Sequence, residues 1–280
     1  MSEELENTEE LEEVTVPLGL DPNIAGTIIE NQITEPKSSI GLFDLPCGYI
    51  DSDGTLHTEI KVREITGHEE DMLANRKLKS TKKLNELITR CVERIGTITD
   101  KGKLSQVVLD MTVGDRLFAI FAIRRVTVGD NYTYQVKCKE CNAVNTVTMD
   151  LSTLEVKYMP DPTKREFEVT LPKSKLHVTF TPMTGRGEEK LSNLGKNTED
   201  TLSLALLMRL TEIEGARPTL KAVKNMSSVD RIYLRDSFTK VEGGVETSVE
   251  LDCPECYAEF KEDLDVSQAG FFFPTVAQES

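Results

Sequence analysis

Apolar residues alternate with polar ones around Ile60, Val62 and Ile65, and again around Leu176, Val178 and Phe180, which is the period of a half-buried strand. Each alternating segment runs into a Thr-Gly pair, Thr66-Gly67 or Thr184-Gly185, and then into paired glutamates, Glu69-Glu70 or Glu188-Glu189. Thr66 stands three residues before Glu69, the capping-box spacing, so a helix is expected to start there, and the acidic pairs suit its dipole better than acid–base chemistry. The helical period then takes over. Leu84, Leu87, Ile88, Cys91, Val92 and Ile95 share one stripe, which predicts a helix over about 81–95, stopped by Gly96, with Cys91 in a core. A third helix, about 113–126, carries Leu117, Ile120, Phe121 and Arg124 and is apolar on several faces, so it should be central. Its counterpart runs from Ser228 to Val241, with Val229, Ile232, Tyr233 and Phe238 as packing residues. Tyr132, Tyr134 and Val136 lead into one Cys-x-x-Cys pair, and Val245, Val249 and Leu251 into another, so each pair is expected at the bend of a β-hairpin.

These elements come in duplicate. An offset of 115 superposes Cys138 and Cys141 on Cys253 and Cys256, and also Asp115-Arg116 on Asp230-Arg231; an offset of 118 superposes Thr66-Gly67 on Thr184-Gly185. The sequence thus predicts an α+β fold made of an internally duplicated strand–helix–helix–hairpin module with pseudo-two-fold symmetry. The repeats are placed at 41–160 and 161–270, between an N-terminal arm, 1–40, and a C-terminal tail, 271–280.

Charge sharpens that division. The 280 residues carry a formal charge of −15, and residues 1–40, with ten acidic side chains and Lys37 alone opposing them, hold −9 of it. Seven glutamates between Glu3 and Glu13, without an aromatic nearby, cannot offset ordering entropy by burial, so a largely disordered or extended arm is expected. An overall acidic chain argues against binding phosphate backbones, and Trp is absent, so nucleic acid is not an expected partner. No apolar run is long enough to span a membrane, and the first residues lack the pattern of a signal peptide. One basic cluster stands out, Arg76, Lys77, Lys79, Lys82 and Lys83, either a solvated helix face or a surface for a partner or for the acidic arm.

Four of the six cysteines form the two Cys-x-x-Cys pairs, the form of zinc knuckles, in which a short spacer and a turn aim two sulfurs at one ion. One knuckle leaves an ion half coordinated. Cys138, Cys141, Cys253 and Cys256 together complete a tetrahedral, structural Zn²⁺ site that would tie the repeats to each other, within one chain or between chains. A redox dithiol or an iron–sulfur cluster is the alternative. Catalytic zinc would keep a ligand position open and usually draws on histidine, but His57, His68 and His177 lie far from the knuckles, the first and last expected as half-exposed strand residues. No phosphate loop, nucleophile elbow or H-E-x-x-H motif is present, so no enzyme is expected. Phe271, Phe272, Phe273 and Pro274 either present an aromatic contact to a partner or fold back over the repeat interface.

The order of motifs across residues 40–274 resembles the tailed-phage family of the T4-type baseplate hub subunit. The resemblance is carried by Phe43-Asp-Leu-Pro46 with Gly48-Tyr49, Thr66-Gly67 with Glu69-Glu-Asp-Met-Leu73, Val113-Gly-Asp-Arg116 with Arg124-Arg125, and Val128-Gly-Asp-Asn-Tyr132. It continues through the knuckle at Cys138, Leu171-Pro-Lys-Ser174, the knuckle at Cys253 and the terminal Phe-Phe-Pro. Asn142 and Tyr257 stand where members often have Gly after the second knuckle cysteine, and Cys47 where they have Ser. The resemblance implies a non-enzymatic component of a contractile-tail baseplate, in the hub or inner wedge. It would be assembled in the host cytoplasm, bound to other hub, wedge and tail proteins, and present in several symmetric copies of the virion tail. A tail-assembly chaperone absent from the finished virion is the alternative.

Overall fold

The computed structural model describes residues 41–194 and 199–273; the acidic arm 1–40 and Pro274 lie outside them. Strand β1 (Leu42–Ile50) runs antiparallel to β2 (Leu56–Val62). The turn between them is set by Asp51, whose Oδ1 accepts the N–H groups of Asp53 and Thr55, both at 2.9 Å, while Gly54 takes the positive φ of 81° that a side chain would resist. Helices α1 (Gly67–Ala74) and α2 (Ser80–Cys91) follow. The stripe that predicts a helix to Ile95 is cut short: α2 ends at Cys91 and Val92–Ile95 forms strand β3, antiparallel to β2. Val92 and Ile95 lie opposite Val62 and Ile60, all four buried, so a β-branched pair gains more from the sheet than from one further helical turn.

Helix α3 (Lys101–Asp110), which the sequence reading passes over, is capped by Asp100, whose side chain accepts the Lys103 N–H at 2.8 Å. Then come the long α4 (Val113–Val128), the hairpin β4 (Asn131–Lys137) and β5 (Val144–Asp150), a 3-10 turn and the short strand β6 (Val156–Lys157). From Phe167 the chain lays down β7 (Phe167–Thr170), β8 (His177–Phe180), α5 (Gly185–Asn193), α6 (Thr201–Leu207), β9 (Leu210–Ile213), α7 (Leu220–Asn225) and α8 (Ser228–Val241). It ends in β10 (Gly244–Val245), the hairpin β11 (Ser248–Asp252) and β12 (Glu259–Asp263), and α9 (Ala269–Phe272). The fold is α+β, with small antiparallel sheets. The register of the two three-stranded sheets matches: Ile60 pairs with Ile95 as Val178 pairs with Ile213, and Val62 with Val92 as Phe180 with Leu210, with an irregularity at the same place in each.

The recurring Asp-Arg pairs acquire a physical role here. Asp115 and Asp230 sit in the first turns of α4 and α8, each with its N–H on the hydroxyl of the capping Thr112 or Ser227. Their carboxylates reach back to a preceding hairpin, Asp115 accepting the Cys47 N–H at 2.7 Å and Asp230 the N–H groups of Lys173 and Ser174 at 2.8 and 3.2 Å. The arginines reach the other way: Arg116 donates to Asn85 Oδ1 of α2, and Arg231 to Ser203 Oγ of α6 at 3.1 Å. One dipeptide thereby fastens each long helix to a sheet and to a preceding helix.

The two long helices differ in cover. Residues Phe118–Arg124 of α4 are all buried in the larger core, as expected for a central helix. On α8 Leu234 and Phe238 are buried in the smaller apolar cluster and Val241 packs against it, whereas Val229 and Ile232 are 54% and 58% exposed and Tyr233 is also at the surface. The expectation that these three pack is therefore corrected. Ribbon β6–β10 covers α4, and Gly114 admits it: a Cβ there would stand 1.9 Å from the Gly243 carbonyl oxygen. Val229 holds the position 115 residues on, at the start of α8, and is left 54% exposed. Segments 41–160 and 161–270 touch through Val113 N–H on the Met183 carbonyl (2.8 Å), Gly185 N–H on that of Met111 (3.1 Å), and an ion pair between Arg116 and Glu188 (3.5 Å).

Candidate metal centre

Both Cys-x-x-Cys pairs fall at hairpin bends, between β4 and β5 and between β11 and β12. In each bend the first cysteine's N–H bonds back across the loop, Cys138 to the Ala143 carbonyl at 2.9 Å and Cys253 to that of Ala258 at 3.0 Å. The residue after the second cysteine donates to the carbonyl of the first, Asn142 to Cys138 and Tyr257 to Cys253, and to do so it takes φ of 62° and 59° respectively. Asn enters the left-handed region at little cost; Tyr does so at greater cost, and its ring is 85% exposed.

The bends bring together sulfurs 112 and 118 residues apart: Cys141 Sγ lies 3.6 Å from Cys253 Sγ, and Cys138 Sγ 3.8 Å from Cys256 Sγ. All four lie within 4.8 Å of one another. None is a disulfide. A tetrahedral ion with Zn–S bonds of about 2.3 Å places its ligands about 3.8 Å apart, so the observed spacing suits four thiolates around one ion within a single chain. Cys138 and Cys253 are buried and Cys141 and Cys256 exposed, which leaves the cluster reachable from solvent on one side.

Electrostatics favours a cation. Burial would raise the Cys253 thiol, but N–H groups of Cys256 and Glu255 and the Asn145 amide outweigh it and pull the thiol down to about 6. Cys256, although the Ala258 N–H lowers it, is pushed up to about 12 by the Cys141, Cys253 and Cys138 sulfurs and by burial. Four sulfurs at this distance cannot all ionise without a counter-charge, and a divalent ion supplies one. Glu140 N–H also faces Cys138 Sγ at 3.4 Å. Sequence reading missed Asn145, a buried residue whose Nδ2 donates to Cys253 Sγ at 3.6 Å. The signal was there: at the 115-residue offset Asn145 stands opposite Phe260, a polar side chain at an apolar position.

A family model described as T4 bacteriophage base plate protein matches residues 49–273. The chain belongs to this baseplate family. No curated protein and no solved structure matches it. The matched span contains both Cys-x-x-Cys pairs and both Asp-Arg pairs. No helix among the described residues of this baseplate protein is long and apolar enough to cross a membrane.

The remaining candidate residues are dispersed. Arg76, Lys77, Lys79 and Lys82 are exposed on and after the α1–α2 connection, and Lys83 turns back to donate to the Leu73 carbonyl at 2.5 Å. Phe271 and Phe272 are 0% and 1% exposed, so they are core residues and cannot serve as contacts in this fold. Arg124 holds them there: its Nε donates to the Phe271 carbonyl at 3.1 Å, and its guanidinium lies 5.8 Å from the Phe271 ring and 5.5 Å from that of Tyr132. Phe273 is half-buried. His57 is buried, not half-exposed as expected, because its Nε2 pairs with Asp51 Oδ2 at 3.0 Å under the Gly96 turn; His177 is exposed.

Proposed function

We propose that this protein is a structural component of a contractile-tail baseplate, in the hub or inner wedge region, built as a duplicated module whose halves are clamped by one zinc ion on Cys138, Cys141, Cys253 and Cys256. The observation that carries the reading is the meeting of four sulfurs, two from each half, at tetrahedral spacing. The shared strand register and the parallel bonding of the two Asp-Arg pairs support the duplication, with repeats at 41–160 and 161–270, an arm at 1–40 and a tail at 271–280. A closed site of four thiolates braces two hairpins and offers no position for a reacting water.

The role is non-enzymatic. Cys47 and Cys91, the cysteines outside the cluster, are buried and each pushed up to about 12 by burial first of all, which makes them poor nucleophiles. Neighbouring hub, wedge and tail proteins are the partners, in several symmetric copies, with the exposed basic run Arg76–Lys82 as one contact surface. Of the aromatic run, Phe273 is the described residue still open to such a role. The test is mass spectrometry of purified tails together with metal analysis of the isolated chain. A virion constituent with about one zinc per chain is expected; a zinc-loaded chain absent from finished tails would make it an assembly chaperone instead.

A further inference from the structure

One core position of the first half is left open in the second. Leu87 and Ile88 of α2 are fully buried, with Leu73 of α1 and Ile120 and Ile123 of α4 buried in the same core. The offset of 118 carries Leu73, Leu84 and Leu87 onto Leu191, Leu202 and Ala205, and that of 115 carries Ile120 and Ile123 onto Arg235 and Phe238. Ala205 is three carbons shorter than the leucine it replaces, and Arg235 is exposed where Ile120 is buried. What remains is a groove of about 420 Å³ lined by Val113, Met183, Leu191, Leu202, Ala205 and Phe238, within the usual range of binding clefts. Leu202 is 71% exposed at its edge.

The charges around this groove have one sign to spare. Its carboxylates are committed, Glu188 to Arg116 at 3.5 Å and Glu242 to Arg209 at 2.9 Å. Arg235 has no ion pair among the described residues. At the C-terminal end of α5, Thr81 Oγ1 meets Ser192 Oγ at 3.1 Å and Lys79 Nζ meets Asn193 Oδ1 at 3.5 Å. The exposed basic run therefore abuts the helix whose Leu191 lines the groove.

We propose that this groove docks an acidic amphipathic helix of a neighbouring baseplate protein, with apolar anchors at helical spacing in the groove and carboxylates against Arg235 and the basic run. The inference rests on the assembly role above. It is tested on the full zinc-loaded chain by fluorescence anisotropy, with two designed 18-residue helical peptides that share one leucine stripe and carry Glu or Lys elsewhere. The Glu peptide is expected to bind at least tenfold tighter at low salt, with the gap closing as salt rises. Ala205→Leu, which restores the side chain found at position 87, should weaken it at least tenfold without lowering Tm, and Arg235→Glu should narrow the preference. If Ala205→Leu fails to fold, Leu202→Gln at the exposed edge makes the same test. Equal binding of both peptides, or affinity indifferent to these changes, overturns the proposal. So does a concentration-dependent dimer in light scattering that Ala205→Leu abolishes, since the occupant is then a second copy. None of these results bears on whether the chain is found in purified tails, so failure here and failure of the baseplate reading are told apart.

Discussion

Removing the metal should loosen the knuckles and leave both cores folded. Apart from the cysteines and Asn145, what holds one bend to the other is Lys139, whose Nζ donates to the Lys261 carbonyl at 2.6 Å and pairs with Glu262 at 3.3 Å. Lys139 is largely exposed, and such a pair contributes about 0–1 kcal/mol. The hairpin bases are held differently, through Tyr134, Met149 and Val249 packed on the larger core. An ion that binds only the folded chain stabilises it by about 4 kcal/mol when free metal is 1,000 times the Kd. For a folded unit of this size that is roughly 8–16 °C in Tm. The experiment chelates the metal, follows Tm by calorimetry, and maps backbone amide exchange. Protection should fall across 137–144 and 252–259 and persist along α4. Cys253→Ser should reproduce the effect and lose the metal, whereas Cys47→Ser, outside the cluster, should keep it. An unchanged Tm after complete metal removal, or equal metal loss from Cys47→Ser, would refute the clamp.

Two further changes probe the supporting structure. Arg124→Met leaves the carbonyls of Phe271, Gly129 and Asn131 without their donor. The buried Phe271 carbonyl costs about 1–3 kcal/mol when left unpaired, whereas the carbonyls of the exposed Gly129 and Asn131 cost less because water can reach them, and the loss is partly offset because a buried charge with no ion pair among the described residues is also removed. Urea unfolding should show a net loss of about 1–3 kcal/mol, with earlier proteolysis of the Phe271–Phe273 segment; a loss under about 0.5 kcal/mol would mean the Phe271 carbonyl finds another donor. Stability should also bend with pH in two opposite ways. Asp115 is raised from 3.8 to about 7, by burial first and despite the Cys47 N–H, so its contribution is complete below pH 4 and lost as pH rises through 7. Glu69 is lowered from 4.5 to about 2: burial opposes this, but Arg63 and Thr66 outweigh it, so its contribution holds above pH 4.5 and is lost as pH falls toward 2. Urea midpoints across pH should show Asp115→Asn flattening the neutral limb and Glu69→Gln the acid limb; an unaltered profile in either variant would remove that assignment.

Much of the site could be read from residue spacing alone. The cysteine pairs, the offsets of 115 and 118, the capping-box spacing at Thr66 and the central helix are all local or periodic features, and short-range geometry is what spacing encodes. Where a local pattern met a competing long-range contact, it misled. The helical stripe through Val92 and Ile95 was real, but β2 offered those side chains a better burial. Val229, Ile232 and Tyr233 carried the right period, yet whether a helix face is covered depends on another element, and these three are left at the surface.

The tertiary structure alone decided the rest. That Asp115 would bond to Cys47 and Arg116 to Asn85, that Phe271 and Phe272 would be drawn inward by Arg124, and that Asn145 would face a sulfur 108 residues away all depend on how distant segments close. A sequence can mark a buried cation or an apolar run as needing a partner, because desolvation must be compensated. Which partner supplies the compensation is settled only when packing brings particular backbone carbonyls, rings and thiolates within a few ångströms of it.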